Sequence, residues 1–220
     1  MFEQIGYTSS MLLLLVRHGA TAATGKKLTG WLPGFSLSEE GKRQSEETAN
    51  RLRAVPVKAV YSSPLERCLE TAQIVAIPHK RQVKIIENIG EIRYGDWQGR
   101  SLKSLYRTKA WKELRARPGD FRFPNGETIR EAQARGMAEI EKLRRQHKDH
   151  TIVVCSHADM IRVLVAGYLG LALDLYNRMS IAPASVTAIA MDQIGVRLLR
   201  LGDTGTLSEL GERTQRTAKK

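Results

Sequence analysis

The sequence contains little cysteine and no long apolar run. Its 220 residues include only Cys68 and Cys155, with no Cys-x-x-Cys pair, which excludes a disulfide framework and a zinc site of the usual cysteine spacing. The apolar run over residues 11–16 is far shorter than the roughly 20 residues of a membrane helix, and it does not match a secretory signal. These absences predict a reduced, cytoplasmic protein with no membrane partner.

Aromatic residues are also scarce, at 6% of the chain, whereas the formal net charge is +12. Such a basic balance is typical of nucleic-acid-binding proteins. Here, however, the basic residues are scattered, and only the C-terminal tail is densely positive. Because there are too few aromatic residues for a stacking platform, the charge predicts a basic surface that attracts anionic metabolites, with no nucleic-acid partner.

The length and the order of elements predict one α/β domain. We assign residues 1–10 to an N-terminal extension, residues 11–202 to a single folded domain and residues 203–220 to a flexible basic tail. Short apolar runs predict strands at residues 11–16, 58–61, 83–86, 151–156, 186–191 and 196–201. Helical patterns between them predict helices at residues 39–53, 65–76 and 158–169, a long helix from residue 127, and one or two short helices before residue 114. Alternating strands and helices favour a three-layer α/β/α sandwich with a mostly parallel central sheet.

Unusual polar residues follow three of the predicted strands. Arg17 and His18 end the first strand, Arg67 lies in the first turn of the helix after the second strand, and His157 follows the fourth. Because ligands bind beyond the carboxyl ends of strands in open α/β sheets, these side chains are expected to share one pocket. Two guanidinium groups beside helix N-termini favour a phosphate.

The same residues predict a chemistry. A neighbouring arginine lowers the pKa of a histidine, and a neutral imidazole beside a bound phosphoryl group is a nucleophile that would form a phosphohistidine. The arginines would stabilise the charge of the transferring group, so no metal and no cofactor is needed. Glu91, in a glycine-punctuated loop, could protonate the leaving oxygen, or it could be a surface charge of that loop.

Six segments, in order along the chain, resemble the motifs of the histidine phosphatase superfamily, also called the phosphoglycerate mutase-like family. They contain Arg-His-Gly at the first strand end, Leu-Ser-x-x-Gly-x-x-Gln, Ser-Pro-x-x-Arg-x-x-x-Thr-Ala, the loop that carries Glu91, Gly-Glu-Thr, and Ser-His after the fourth strand. The segments are residues 14–21, 37–44, 62–72, 91–99, 125–128 and 153–157. The resemblance spans about residues 11–191. Within the family, the chain resembles a compact bacterial branch whose members are often labelled probable phosphomutases.

The resemblance implies specific roles. His18 is the nucleophile, Arg17, Arg67 and His157 hold the phosphoryl group, and Glu91 is the proton donor. Further substrate contacts are expected from Thr24, Gly30 and Ala158.

Three of these positions depart from the family pattern. Thr24 stands where the family usually has a phosphate-contacting asparagine, and Gly30 lies in a loop of unusual sequence. Ala158-Asp159 replaces the usual pair of small residues after the second histidine. The orientation of the Asp159 side chain is open at this stage.

Hydrolysis of a small phosphorylated metabolite is the function that the sequence favours. Only 66 residues separate Glu91 from His157 (157 minus 91), a compact spacing that resembles the phosphatases. The alternatives are phosphoglycerate mutase-type transfer, in which a second substrate attacks the phosphohistidine, and an inactive relative that binds a phosphorylated ligand or a partner.

For several further residues, the sequence leaves two roles open. Trp31 either covers the substrate or only packs, and Trp97 and Trp111 belong either to the core or to the pocket wall. Arg93, Arg115 and Arg117 bind a second anionic group of the substrate or are surface charges. The last strand could form a homodimer if it lies at the rim of the sheet.

Overall fold

The structure, a computed structural model, describes residues 10–205. Residues 1–9 and 206–220, which include nearly all of the predicted extension and most of the predicted tail, lie outside the described residues. No helix in the described part of the chain is both long and apolar enough to cross a membrane.

The described residues form one six-stranded sheet flanked by helices. The strands are β1 Met11–Arg17, β2 Val57–Ser62, β3 Val83–Ile85, β4 Thr151–Ser156, β5 Val186–Met191 and β6 Val196–Asp203. The α-helices are α1 Glu39–Leu52, α2 Glu66–Ala76, α3 Leu102–Leu105, α4 Lys109–Ala116, α5 Ile129–Gln146 and α6 Ala158–Tyr168. Short 3-10 helices lie between them, and the one at Leu173–Arg178 was not predicted.

The strand order β3-β2-β4-β1-β5-β6 confirms the predicted fold class. The first four strands in this order are parallel, whereas β5 is antiparallel to β1 and β6 is antiparallel to β5. β1 and β4 are apolar on both faces because helices cover both sides of the sheet. One core cluster packs α1 and α2 against one face, and a larger cluster packs α5 and α6 against the other.

Polar caps determine where the helices begin. The Ser38 side chain accepts a hydrogen bond from the Gly41 N–H at the start of α1. Thr128 and Glu131 form a reciprocal capping box at the start of α5, so this helix begins at Ile129 and not at the predicted Glu127.

The last strand, β6, extends to Asp203, whose carboxylate pairs with Arg51 at 2.7 Å. β6 lies at one rim of the sheet, so the geometric condition for the predicted dimer is met, and the dimer stays a prediction.

Candidate active site

The carboxyl ends of β1, β2 and β4 meet in register. Arg17 pairs with Ser156 at the end of the β1–β4 ladder. The hydrogen bonding continues one residue further, where the His18 N–H donates to the Ser156 carbonyl at 2.9 Å. This continuation brings His18 beside His157, with the ring centroids 5.3 Å apart.

Gly19 allows the end of β1 to approach α1 closely. A Cβ atom at this position would lie 2.3 Å from the Gly41 carbonyl oxygen. The glycine of the Arg-His-Gly motif is therefore required by packing, because any side chain would push the histidine away from the sheet edge.

The hydrogen bonds of His18 define its tautomer. Nδ1 lies 2.7 Å from the Gly19 carbonyl oxygen, and Nε2 lies 3.2 Å from Arg67 Nε. Because a carbonyl only accepts and a guanidinium only donates, Nδ1 carries the proton and Nε2 keeps its lone pair. Burial, and then the charges of Arg67 and Arg17, hold the pKa of His18 well below its ordinary value, so the ring is neutral.

Arg67 connects three parts of the site from a position that is only 2% exposed. Besides the contact with His18, its Nη2 donates to the Gly30 carbonyl at 2.9 Å and to His157 Nδ1 at 3.2 Å. Gly30 adopts φ +53°, and a Cβ there would lie 2.4 Å from the Gln98 side chain. Gly30 thus lines the cleft and orients the arginine through its carbonyl.

His157 is held from behind by two side chains that the sequence analysis did not assign to the site. Its Nε2 lies 2.8 Å from Ser63 Oγ and 3.3 Å from Cys68 Sγ. Because Nδ1 accepts from Arg67, Nε2 carries the proton and donates to Ser63. Burial raises the pKa of Cys68 to about 12, so this thiol is a packing residue and not a reactive thiolate.

Arg17 contributes a second guanidinium group. Its Nη1 donates to the Ile181 carbonyl at 2.6 Å, and its buried Nε has no hydrogen-bond partner among the described residues. An unpaired buried donor is costly, and it can be satisfied by an anion in the cleft. The N-terminus of α6, at Ala158, adds backbone N–H groups and the positive end of the helix dipole.

Glu91 lies in the same cleft and is 9% exposed. One carboxylate oxygen accepts a hydrogen bond from the Ile92 N–H at 3.0 Å. Burial first, and then the negative charge of Asp159, raise the pKa of Glu91 to about 7, although Arg67 and Arg17 oppose the shift. A carboxyl group with this pKa can carry a proton near neutral pH and release it.

The cleft has a volume of about 360 Å³, at the small end of the range for ligand pockets. Seven of the eight predicted site residues line it, and His157 lies directly behind them. The seven are Arg17, His18, Thr24, Gly30, Arg67, Glu91 and Ala158. Within the described residues, no group of three or more His, Cys, Asp or Glu side chains is placed to hold a metal ion.

Asp159 faces the cleft, which answers the question that the sequence left open. Tyr94 Oη donates to one carboxylate oxygen at 2.7 Å, and Arg162 Nη1 donates to the other at 2.8 Å. Tyr94, Arg162 and Tyr176 also line the cleft and were missed. Helical spacing from Asp159 could have indicated Arg162, but nothing in the sequence indicated Tyr176.

The structure also distinguishes between the roles that the sequence left open for the remaining arginine and tryptophan residues. Arg115 and Trp111 line the cleft, whereas Trp97 belongs to the core. Arg93 and Arg117 are not among the lining residues, and Arg93 lies over the Trp31 ring at 4.2 Å and pairs with Glu87.

Trp31 packs against the loop of Glu91 and does not cover the cleft. Its indole N–H donates to the Glu91 carbonyl at 2.6 Å, and its ring fills the space beside Gly90. Arg135 donates to the same carbonyl at 2.8 Å and is itself held by Glu127. The backbone of Glu91 is therefore clamped from two sides.

Replacing Trp31 with phenylalanine keeps an aromatic ring but removes the hydrogen bond to Glu91. We expect kcat for an alkyl phosphate to fall about fivefold, with a smaller change in KM, because the proton donor loses one of its two clamps. Arg93→Ala, which removes only the outer stacking partner, is the matched control. Equal losses in both variants would contradict a positioning role for the indole N–H.

Sequence comparisons match this chain to one protein family and to several named proteins. The model of the histidine phosphatase superfamily (branch 1) matches residues 13–204. A phosphoserine phosphatase 1 from Hydrogenobacter thermophilus is 29% identical over 202 residues, which are 90% of this chain and 94% of that protein. A 2,3-bisphosphoglycerate-dependent phosphoglycerate mutase from Thermoplasma acidophilum is 28% identical over 196 residues, covering 87% and 92% of the two chains.

A solved structure shows the same arrangement of the chain. The phosphoserine phosphatase from Entamoeba histolytica, crystallised as a mutant in complex with phosphoserine, has a TM-score of 0.81 and 26% sequence identity. The match covers 90% of this chain and 99% of that one.

Proposed function

The chain belongs to the histidine phosphatase superfamily, and from this premise we propose that His18, Arg17, Arg67, His157 and Glu91 hydrolyse a small phosphate monoester through a phosphohistidine. The observation that carries the proposal is the state of His18. Its Nδ1–H is bound to the Gly19 carbonyl, so the unprotonated Nε2 is the atom presented beside the two arginines. A phosphoserine-type metabolite is the first substrate to test, because relatives act on phosphoserine by name.

In the first step, His18 Nε2 attacks phosphorus and the bond between phosphorus and the leaving oxygen breaks. Arg67 Nε, which holds Nε2 at 3.2 Å, turns to a phosphoryl oxygen as the P–N bond forms. Arg17 Nε and the backbone of Ala158 bind the other phosphoryl oxygens, and the Thr24 hydroxyl lies at the same cleft wall. Glu91 gives its proton to the leaving oxygen.

In the second step, Glu91 acts as a base. Its carboxylate takes a proton from water, the water oxygen attacks phosphorus, and the P–N bond breaks with its electron pair returning to Nε2. Inorganic phosphate leaves, and both His18 and Glu91 return to their starting protonation states. The positive charge that a metal would supply in other phosphatases comes here from the two guanidinium groups.

The direct test is phosphate release from an aryl phosphate in the presence of a chelator, combined with rapid quenching into alkali. We expect steady release and a phosphorylated protein that is stable in base and labile in acid, as phosphohistidine is. Release that stops on addition of chelator would contradict the mechanism, and so would an acid-stable phosphoprotein.

Mutase-type transfer is the second candidate, supported by the similarity to a phosphoglycerate mutase. It differs only in the acceptor of the phosphohistidine, which is a second substrate in place of water. Exchange between 2- and 3-phosphoglycerate that exceeds hydrolysis would favour it. No exchange and no hydrolysis would leave a phospho-ligand-binding relative, an alternative that the intact set of five residues opposes.

The pH dependence of kcat/KM tests whether Asp159 raises the pKa of Glu91. Catalysis by the first step needs protonated Glu91, so kcat/KM should fall as the pH rises through the pKa of about 7. Asp159→Asn removes a negative charge that keeps the proton on Glu91, so this fall should move to lower pH. Glu46→Gln, an equal charge change on exposed α1 surface, should leave the profile in place. An unshifted basic limb in Asp159→Asn would contradict the coupling of the two carboxyl groups.

The predicted cytoplasmic location, the homodimer and the domain boundaries stay predictions.

A further inference from the structure

A second, more open cavity adjoins the cleft. The two cavities share the lining residues Gly25, Leu102 and Tyr106. The outer cavity, called the vestibule below, is completed by Lys26, Lys103 and Arg107. A leaving group that extends from the phosphoryl site through the mouth of the cleft would therefore lie over these three cations.

The vestibule is built from two segments that backbone hydrogen bonds hold together. The Leu102 N–H donates to the Lys26 carbonyl at 2.9 Å, and the Leu28 N–H donates to the Arg100 carbonyl at 3.0 Å. An isolated bridge between Lys27 and Ser101 lies between these contacts. Because both segments are tied, the backbone positions of Lys26 and Lys103 have a defined spacing and do not depend on independent loops.

Positive charge accumulates here without an ionic partner among residues 10–205. Lys27 and Arg115 at the cleft mouth join Lys26, Lys103 and Arg107, and all five are exposed. Among the described residues, none of these side chains forms an ion pair or a hydrogen bond. Some other basic residues are paired, for example Arg122 with Glu131 and Arg135 with Glu127. Like charges held together in this way favour an anion between them.

The wall of the vestibule is apolar as well as basic. Tyr106 is 52% exposed, and its ring lies 4.7 Å from that of Trp111. Leu102 lies beside it in both cavities. The carbon skeleton of a substrate can therefore lie on apolar surface while its far end reaches the cations.

We propose that the vestibule binds a second anionic group, a carboxylate or a phosphate, at the far end of the leaving group. The inference rests on the proposed function, because it assumes that the scissile phosphate occupies the His18 end of the cleft. It places the preferred substrates among phosphate monoesters that carry an additional negative charge.

The test compares hexyl phosphate with two analogues that carry a carboxylate or a second phosphate at the sixth carbon, and repeats the series with four carbons. At low ionic strength we expect kcat/KM to be about tenfold higher for the better charged analogue than for the uncharged one, since exposed ion pairs are individually weak. The carboxylate and phosphate arms show which anion is preferred.

Two double variants identify the residues responsible. In Lys103→Gln/Arg107→Gln, the ratio of kcat/KM for charged and uncharged substrates should fall about tenfold, toward one. Lys109→Gln/Lys112→Gln removes the same charge from α4 without touching either cavity, and should keep the wild-type ratio. An equal fall in both variants would overturn the proposal, because it would show only an effect of net charge.

Failure of the vestibule and failure of the proposed function are distinguishable. Hydrolysis of all analogues at one common rate overturns the vestibule alone. If no analogue is hydrolysed, calorimetry with alkyl mono- and bisphosphonates still measures binding. Tighter binding of the bisphosphonate that is lost in Lys103→Gln/Arg107→Gln supports the vestibule, and equal binding overturns it.

Discussion

Replacing His18 with alanine should reduce phosphate release by about four orders of magnitude, to the limit of detection. The variant loses His18 Nε2, the unprotonated nitrogen that accepts from Arg67 Nε and lies near the charge of Arg17. KM should change little, because Arg17, Arg67 and the start of α6 still bind the phosphoryl group. The assay is phosphate release from an aryl phosphate with chelator present, together with quenching into alkali to detect the phosphoprotein.

The matched control is His150→Ala, which removes an exposed histidine that does not line the cleft. Thermal unfolding and circular dichroism establish that both variants fold, and inorganic phosphate or vanadate binding reports whether the anion site survives in His18→Ala. Activity within tenfold of wild type in His18→Ala would sink the phosphohistidine mechanism. In that case another group, or water directly, would attack the phosphate.

Glu91→Gln should lower kcat/KM for an alkyl phosphate by a factor of about 10² to 10⁴, the usual contribution of general acid catalysis. For 4-nitrophenyl phosphate the loss in kcat/KM, which reports transfer of the phosphoryl group to His18, should be much smaller, because nitrophenolate leaves without a proton. The comparison of the two substrates therefore reports the proton-donor role and not merely damage to the cleft. In the variant, the fall of kcat/KM near pH 7 should also disappear, since the group with the raised pKa is gone.

Glu87→Gln is the control for this experiment. Glu87 belongs to the same stretch of chain, but its carboxylate is exposed and pairs with Arg93 outside the cleft. It should leave both rates near the wild-type values. A loss of kcat/KM of the same size for the alkyl and the nitrophenyl substrate in Glu91→Gln would contradict the role of Glu91 as the proton donor to the leaving oxygen.

The sequence contained enough to place the strands and the residues at their ends. Short apolar runs bounded by glycine, proline and polar residues have few alternatives, and parallel strands necessarily end at the same edge of the sheet. The grouping of Arg17, His18, Arg67 and His157 follows from that rule alone. Helix boundaries were less accurate, as at α5, because Thr128 and Glu131 act through a cap whose geometry exists only after folding.

The role of Trp31 shows why other assignments needed the tertiary structure. A tryptophan between glycines in a loop is equally compatible with covering a substrate and with packing. Only the contact between its indole N–H and the Glu91 carbonyl distinguishes the two. Arg93 and Arg115 are a similar case, since both are basic residues in loops or short helices near the site, and only one of them lines the cleft.

By itself, then, the sequence determined the α/β fold class, because local patterns and strand topology decide it. Its resemblance to a known family implied the order of the motifs and the five residues to which we assign the chemistry. The tertiary structure decided the tautomer of His18, the raised pKa of Glu91, the direction of Asp159 and the vestibule beside the cleft. These properties depend on burial and on distances between segments remote in sequence. Hydrogen-bond partners and desolvation exist only once those segments are packed together.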